Sequence, residues 1–124
     1  MFVKALRVGL GQLIVIGDAL SRPRPQRRSA QGQATVDAEA ARLSLYQLHA
    51  CPFCVKTRRA AHRLNVPLTL RDVKRDPQAR QELQAGGGRV KSPCLRIDDA
   101  KGTRWMYESK DIIAYLDQRF GQVV

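Results

Sequence analysis

The pattern of apolar and polar positions changes after residue 42. From Leu43 onwards, short apolar runs alternate with helix-length segments in the order strand, helix, strand, helix, strand, strand, helix. The strands are predicted at Leu43–Leu48, Leu68–Val73, Cys94–Ile97 and Arg104–Tyr107, and the helices at Phe53–Asn65, Pro77–Ala85 and Ser109–Phe120. This order predicts a compact α/β domain over residues 43–124.

Residues 1–20 form a mostly apolar segment. Its sparse charged positions and one glycine share a narrow helical stripe: Lys4, Arg7, Gly11 and Asp18. The longest uncharged run, Val8–Gly17, has ten residues, whereas a membrane-spanning helix needs about 20 apolar residues. The pattern favours an amphipathic helix at a membrane interface. A helix packed on the domain, a signal peptide and a spanning segment remain alternatives.

Residues 21–42 are predicted to form a basic linker rich in Pro, Arg and Gln. The segment Arg22-Pro23-Arg24-Pro25 cannot continue a helix, and a short helix is expected from Thr35 to Arg42 with Thr35 as its cap. Four arginines and no acid lie between residues 22 and 28. Near anionic lipid each would contribute ~1 kcal/mol, although a solvated basic linker has the same composition.

The chain is strongly basic, with 22 Lys and Arg against 11 Asp and Glu, a net charge of +11. A basic balance suits anionic partners, here an anionic membrane surface contacted through residues 1–28 or a small anionic thiol such as glutathione. The sequence contains neither zinc-finger spacing nor an aromatic-rich binding signature, so no nucleic-acid partner is expected.

Cys51-Pro52-Phe53-Cys54 is the strongest chemical signal, because it lies where the first strand passes into a helix. Unpaired N–H groups and the positive end of the dipole at a helix start stabilise a thiolate, the nucleophile of disulfide exchange. Pro52 suits the first helical position. An odd count of three cysteines excludes a disulfide scaffold and indicates redox chemistry in a reducing compartment.

Half of a zinc site is the main alternative for this cysteine pair. The remaining ligands would have to come from Cys94, His49 and His62, which form no second paired spacing. Metal is therefore not expected.

The element order and the CPFC motif together resemble the glutaredoxin family of the thioredoxin fold, with similarity to the glutathione S-transferase N-terminal domain. The resemblance covers Leu43 to about Phe120. Ser92-Pro93 opens the third strand, where the family holds a cis-proline, and Gly86-Gly87-Gly88 lies just upstream. Tyr107-Glu108-Ser109 precedes the last helix, where these families hold the γ-glutamyl end of glutathione.

The resemblance implies roles for individual residues. Cys51 would be the nucleophile and Cys54 the resolving thiol, with glutathione as co-substrate. The glutathione-binding residues would be His49, Phe53, Lys91, Ser92, Pro93, Glu108 and Ser109. Alternatives from the residues alone are a purely structural Cys54 and an ordinary trans Pro93. At Ser109 the alternative is a plain helix cap.

Two positions need separate comment. Leu48 stands where glutaredoxins usually have a lysine that contacts the glycyl carboxylate of glutathione, so that contact is lost and His49 is the candidate to replace it. Cys94 follows the expected cis-proline directly. It is either a core residue of the third strand, a third redox thiol or a cluster ligand.

The sequence thus predicts a glutathione-dependent thiol–disulfide oxidoreductase acting through Cys51 on protein–glutathione mixed disulfides or small disulfides. The alternatives are a glutathione-binding or iron–sulfur carrier module without reductase activity, and a membrane-tethered adaptor. The expected location is cytoplasmic and peripheral on the inner face of a membrane.

Overall fold

The computed structural model describes residues 11–17 and 24–124. Its strands are β1 (Leu43–Gln47), β2 (Thr69–Asp72), β3 (Cys94–Asp99) and β4 (Gly102–Tyr107). The helices are α1 (Ala30–Ala40), α2 (Pro52–Arg63), α3 (Pro77–Gly87) and α4 (Ser109–Phe120), and residues 11–17 are also helical. The rest of the helix expected over residues 1–20 lies outside the described residues.

The strands form one mixed sheet in the order β2-β1-β3-β4. β1 runs parallel to β2 and antiparallel to β3, and β4 is antiparallel to β3. The predicted thioredoxin-like α/β fold is therefore confirmed. β3 and β4 extend further than predicted, because their ladder continues to the pair Asp99–Gly102.

Side chains alternate across the sheet and divide the core between its two faces. On one face Leu45 and Leu95 pack with α1, α2 and α4; the other members of this cluster are Val36, Ala40, Leu43, Ala61, Leu64, Val66, Ile97, Ile112, Leu116 and Phe120. On the other face Tyr46 and Cys94 pack with Val73 and with Ala79 and Leu83 of α3. The sheet is thus covered by helices on both faces, which holds the strand ends in fixed positions.

Residues 24–42 differ from the expected linker. α1 begins at Ala30 with Ser29 as its cap, and Val36 and Ala40 are fully buried. The Arg28 guanidinium donates to the Val123 carbonyl at 2.8 Å and to the Phe120 carbonyl at 2.9 Å. These bonds dock the segment onto the end of α4, so this part of the chain belongs to the packed structure.

No helix among the described residues is long and apolar enough to cross a membrane.

Candidate active site

The candidate site lies at one edge of the sheet, where four chain segments meet. Cys94, the first residue of β3, pairs with Tyr46 of β1 on one side and Tyr107 of β4 on the other, and Gln47 pairs with Asp72. The segments after β1, β2 and β4 and the segment before β3 therefore converge at this edge. They carry the cysteine pair, Ser92-Pro93 and Glu108-Ser109.

Cys51 occupies the position immediately before α2. Its backbone is extended, its carbonyl accepts from the Val55 N–H at 2.8 Å, and its side chain makes no capping hydrogen bond. Pro52 takes the first helical position, as predicted. The half-buried Cys51 thiol is therefore held at the positive end of the helix while it stays accessible.

Cys54 lies one turn into α2 and is fully buried. The Leu48 N–H donates to its sulfur at 3.4 Å. Burial raises the pKa of Cys54 to about 11; the Leu48 N–H opposes this rise, and the neighbouring Cys51 adds to it. Cys54 is therefore a protonated thiol at neutral pH, whereas Cys51 is the accessible sulfur of the pair.

The Ser92–Pro93 peptide bond is cis, which confirms the prediction for Pro93. Pro93 is buried and Ser92 half-buried. The Ser92 side chain forms a hydrogen bond that lowers the pKa of Cys54, against the larger effect of burial. The proline segment therefore lies directly beside the cysteine pair.

Glu108 and Lys91 form an ion pair of 2.8 Å on the far side of Ser92. Hydrogen bonding to Lys91 lowers the pKa of the Glu108 carboxyl. Glu108 has φ +75° and takes the cap position of α4, where its carbonyl accepts from the N–H groups of Asp111 and Ile112. Ser109 is the first helical residue, so it is not the cap of α4.

A family model for the glutathione S-transferase N-terminal domain matches residues 45–123. The chain belongs to this family. The match contains both cysteines, the cis-proline and the Glu108-Ser109 pair, and it leaves out the helical residues 11–17. No curated protein sequence matches the chain.

Two solved structures resemble this glutathione S-transferase N-terminal domain. One is maleylacetoacetate isomerase from Anaeromyxobacter dehalogenans 2CP-1, with dicarboxyethyl glutathione and citrate bound in its active site; it is 22% identical with a TM-score of 0.43, over 64% of this chain and 35% of that one. The other is a mutant alkylhydroperoxide reductase from Enterococcus faecalis (V583), 19% identical with a TM-score of 0.43, over 89% of this chain and 53% of that one. The chain thus spans about a third and about half of these proteins.

Cys94 lies in the core behind the site of this transferase-family domain. It is fully buried beside Tyr107. Burial raises its pKa to about 11, while a hydrogen bond with Tyr107 and the charge of Arg89 oppose the rise. The Tyr107 hydroxyl donates to the Arg89 carbonyl at 2.8 Å. Cys94 therefore packs beneath the segment that leads to Pro93.

His49 and Phe53 flank Cys51 on its exposed side. His49 is exposed, and its carbonyl accepts from the Arg58 guanidinium at 2.6 Å. Arg58 also donates to the Gln47 side chain and to the Leu48 carbonyl. Sequence reasoning treated Arg58 as a source of positive potential, and its additional role is to hold the loop that precedes Cys51. Phe53 is 62% exposed and so offers an apolar surface beside the thiol.

A groove of about 500 Å³ opens beside Cys51. Lys74 and Arg75, from the segment after β2, lie at this groove together with His49. Sequence reasoning missed both cations, although the parallel pairing of β1 and β2 places the residues after each strand at the same edge. A second cavity, of about 440 Å³, lies at the opposite end of the sheet near Leu43 and Lys101 and contains no cysteine.

Within residues 11–17 and 24–124, no group of three or more His, Cys, Asp or Glu side chains is arranged to hold a metal ion. All three cysteines are free thiols.

The cysteines should differ in their reaction with iodoacetamide. Cys51 should be alkylated first, while Cys54 and Cys94 should stay largely unmodified below pH 9 and react faster as pH approaches their pKa of about 11, because only the thiolate reacts. Peptide mapping by mass spectrometry after timed labelling measures this. Unfolded protein in urea is the control and should label at all three positions. Equal labelling of Cys51 and Cys54 in the folded protein at pH 8 would contradict the assignment.

Proposed function

We propose that this domain is a glutathione-dependent thiol–disulfide oxidoreductase of the glutaredoxin type. The observation that carries the proposal is the pair of unequal thiols, an accessible Cys51 at the start of α2 and a buried Cys54 one turn later, beside a cis Ser92–Pro93 bond. Membership of a glutathione-related family supports glutathione as the co-substrate. The substrates would be protein–glutathione mixed disulfides or small disulfides.

In the proposed reaction the Cys51 thiolate attacks the glutathionyl sulfur of a mixed disulfide. A bond forms between the two sulfurs as the substrate disulfide breaks, and the departing thiolate takes a proton from water. A second glutathione thiolate then attacks the glutathionyl sulfur on Cys51. This releases glutathione disulfide and restores the Cys51 thiolate.

Cys54 offers a second way to release a substrate bound to Cys51. It would attack the Cys51 sulfur and form an internal disulfide, which two glutathione molecules would reduce. Because burial raises the pKa of Cys54 to about 11, few Cys54 thiolates exist at neutral pH. Release by glutathione is therefore the main route for mixed disulfides.

The Lys91–Glu108 pair suits the γ-glutamyl end of glutathione. That end carries an ammonium and a carboxylate, so it can pair its carboxylate with Lys91 and its ammonium with Glu108. Both side chains are half-exposed, which leaves them open to a ligand. The N–H groups at the start of α4, at Ser109, would add to the binding of the carboxylate. The Ser92 backbone would pair with the cysteinyl residue of glutathione.

The proposal is tested by a glutathione-coupled disulfide reduction assay on the full chain. Turnover of a glutathionylated peptide is the expected result. An inactive protein whose absorption spectrum, after anaerobic purification, shows an iron–sulfur cluster would favour the carrier alternative instead.

Glu108→Gln should raise the KM for glutathione about fivefold, the scale of one exposed charged contact, with little change in kcat. The substitution keeps the size of the side chain and removes the charge that would face the ligand ammonium. Steady-state kinetics at varied glutathione concentration measures it.

Asp111→Asn is the matched control, since Asp111 is an exposed acid in the first turn of the same helix. An equal rise in KM in both variants would indicate a general effect of charge and would remove Glu108 from the glutathione site.

We also propose that the protein works in the cytoplasm at the inner surface of an anionic membrane. Leu13 and Ile16, in the helical residues 11–17, are 66% and 52% exposed. Arg24 and Arg27 follow in an exposed basic segment. An apolar helix face beside basic side chains is the combination that binds anionic lipid surfaces.

A Leu13→Asp, Ile16→Asp double variant should lose at least about tenfold in affinity for anionic vesicles, because charged side chains cannot enter the acyl boundary. Co-sedimentation with phosphatidylcholine vesicles, with and without phosphatidylglycerol, measures this. Leu70→Asp is the control, since Leu70 is 50% exposed on β2. If the wild-type chain stays in the supernatant at low salt with anionic vesicles, the membrane proposal fails.

A further inference from the structure

The helical residues 11–17 lie directly against the loop that carries Cys51. Gly11 is buried, and a Cβ atom at this position would lie 3.0 Å from the Ala50 Cβ. The helix backbone therefore approaches the residue immediately before Cys51. This segment precedes the part of the chain that matches the family model, residues 45–123.

The helix has two different faces. Gly11 and Ile14, three residues apart, belong to the face that lines the groove beside Cys51. Leu13 and Ile16 belong to the opposite face and are more than half exposed. One face of the helix is therefore a wall of the active-site groove.

The groove is apolar on the side of Cys51 and basic at its outer edge. Its apolar lining is made by Gly11, Ile14, Leu48, Ala50 and Pro52. Leu48, which replaces the lysine usual in glutaredoxins, thus belongs to an apolar surface shared with the helix.

The basic edge consists of Lys74 and Arg75, whose side chains are exposed. The nearby acid, Asp72, accepts hydrogen bonds from the backbone N–H groups of Lys74 and Arg75, both at 2.9 Å. Its carboxylate is thereby engaged, while the Lys74 ammonium can reach a ligand at the groove.

We propose that residues 11–17 complete the substrate site and that Ile14 and Lys74 select the disulfide. The preferred substrate is a glutathionylated polypeptide with an apolar residue beside its cysteine and a carboxylate within reach of Lys74. This inference rests on the proposed oxidoreductase function. Glutathione occupies the side of Cys51 that carries Lys91 and Glu108, and the polypeptide that departs as a thiol occupies the groove.

The balance of the reaction is unchanged by this placement. Cys51 forms its bond to the glutathionyl sulfur, the substrate disulfide breaks, and the polypeptide thiolate leaves through the groove and takes a proton. Apolar contact with Ile14 and charge pairing with Lys74 act on the leaving polypeptide only. They therefore change the choice between peptides and leave the turnover of a small mixed disulfide unchanged.

The kinetic test compares two short glutathionylated peptides that differ only beside the cysteine, one with Leu and Glu and the other with Ser and Lys. We expect the wild-type full chain to prefer the Leu–Glu peptide. Ile14→Ser should lower the ratio of the two kcat/KM values about tenfold, the usual scale for one apolar contact in a pocket. The matched control Leu13→Ser, on the opposite helix face, should leave the ratio unchanged.

The charge at the groove is tested in the same assay. Lys74→Glu should lower kcat/KM for the Leu–Glu peptide about fivefold and raise it for the Ser–Lys peptide. Lys101→Glu makes the same charge change at the opposite end of the sheet and should affect neither peptide selectively. Equal ratios in the wild type, Ile14→Ser and Lys74→Glu would overturn the inference.

A binding measurement separates this inference from the proposed activity. In the Cys51→Ser background, fluorescence anisotropy of the reduced, labelled peptides reports binding without chemistry. If the wild type shows no turnover but the Leu–Glu peptide binds more tightly and loses this preference in Ile14→Ser, the reductase function fails and the groove assignment stands. If turnover is robust and neither assay distinguishes the peptides, the groove assignment fails and the reductase function stands.

Discussion

Replacing Cys51 with serine should abolish reduction of a glutathione mixed disulfide, with activity at least about a thousandfold below wild type. A serine hydroxyl is not ionised at neutral pH and cannot form the mixed disulfide on which the proposed reaction depends. Cys54→Ser should keep most of the activity, because glutathione itself resolves the intermediate. The measurement is the glutathione-coupled assay with a glutathionylated peptide.

The contrast between the two variants is the informative result. Cys54 is buried and has a pKa of about 11, so its removal should cost little when a glutathionyl group occupies Cys51. With a protein disulfide as substrate, Cys54→Ser should instead accumulate a protein mixed disulfide that is visible on a non-reducing gel. Cys94→Ser is a further control, and it should retain the reaction because Cys94 lies in the core behind the site.

Wild-type activity in Cys51→Ser would remove Cys51 from the reaction. Loss of activity in both Cys51→Ser and Cys54→Ser, with both variants folded by circular dichroism, would mean that release requires the internal disulfide. The route through glutathione alone would then be wrong.

The sequence predicts the site because its main signals are local. Cys51-Pro52 at the start of α2 and Ser92-Pro93 before β3 each combine a residue type with a position relative to a strand or helix. Alternation of side chains fixes which residues of β1 and β3 face each layer of helices. The positions of both motifs at one sheet edge then follow from the order of the elements.

The segment before β1 could not be predicted in the same way. α1 has the sequence AQGQATVDAEA, which lacks a continuous apolar face, and only Val36 and Ala40 are fully buried in it. Its attachment depends on Arg28, which donates to carbonyls more than 90 residues away in sequence. Such long-range bonds to backbone carbonyls leave no periodic pattern in the sequence.

The groove beside Cys51 was missed for a related reason. Its walls come from residues 11–17, from the loop after β1 and from Lys74 and Arg75 after β2. Each segment is unremarkable alone: an uncharged helix, a loop and two exposed cations. Leu48 was recognised only as the loss of a lysine, whereas the packed structure gives it an apolar surface to share with Ile14.

Gly87→Ala should destabilise the domain by about 2 kcal/mol, which corresponds to a fall in Tm of roughly 10 °C. A Cβ atom at Gly87 would lie 2.1 Å from the Tyr107 hydroxyl oxygen. An alanine in a helix normally gains up to about 1 kcal/mol over glycine, but the clash is larger than this gain. Tyr107 cannot move away cheaply, because its ring packs on the buried Cys94 cluster and its hydroxyl donates to Arg89.

The same substitution should also impair the site, because displacement of Tyr107 breaks its hydrogen bond to the Arg89 carbonyl, which anchors the segment leading to Ser92 and Pro93. We expect the KM for glutathione to rise several-fold while the labelling rate of Cys51 stays close to wild type. Thermal unfolding by circular dichroism and steady-state kinetics measure the two effects.

A double variant identifies the cause. Tyr107→Phe removes the oxygen that meets the new methyl group, at a cost of about 1 kcal/mol for the lost hydrogen bond. Gly87→Ala combined with Tyr107→Phe should therefore be more stable than Gly87→Ala alone and close to Tyr107→Phe alone, a strong departure from additivity. If the two substitutions instead destabilise additively, the close approach of α3 to Tyr107 does not control the segment before Pro93, and the loss in Gly87→Ala must arise within the helix.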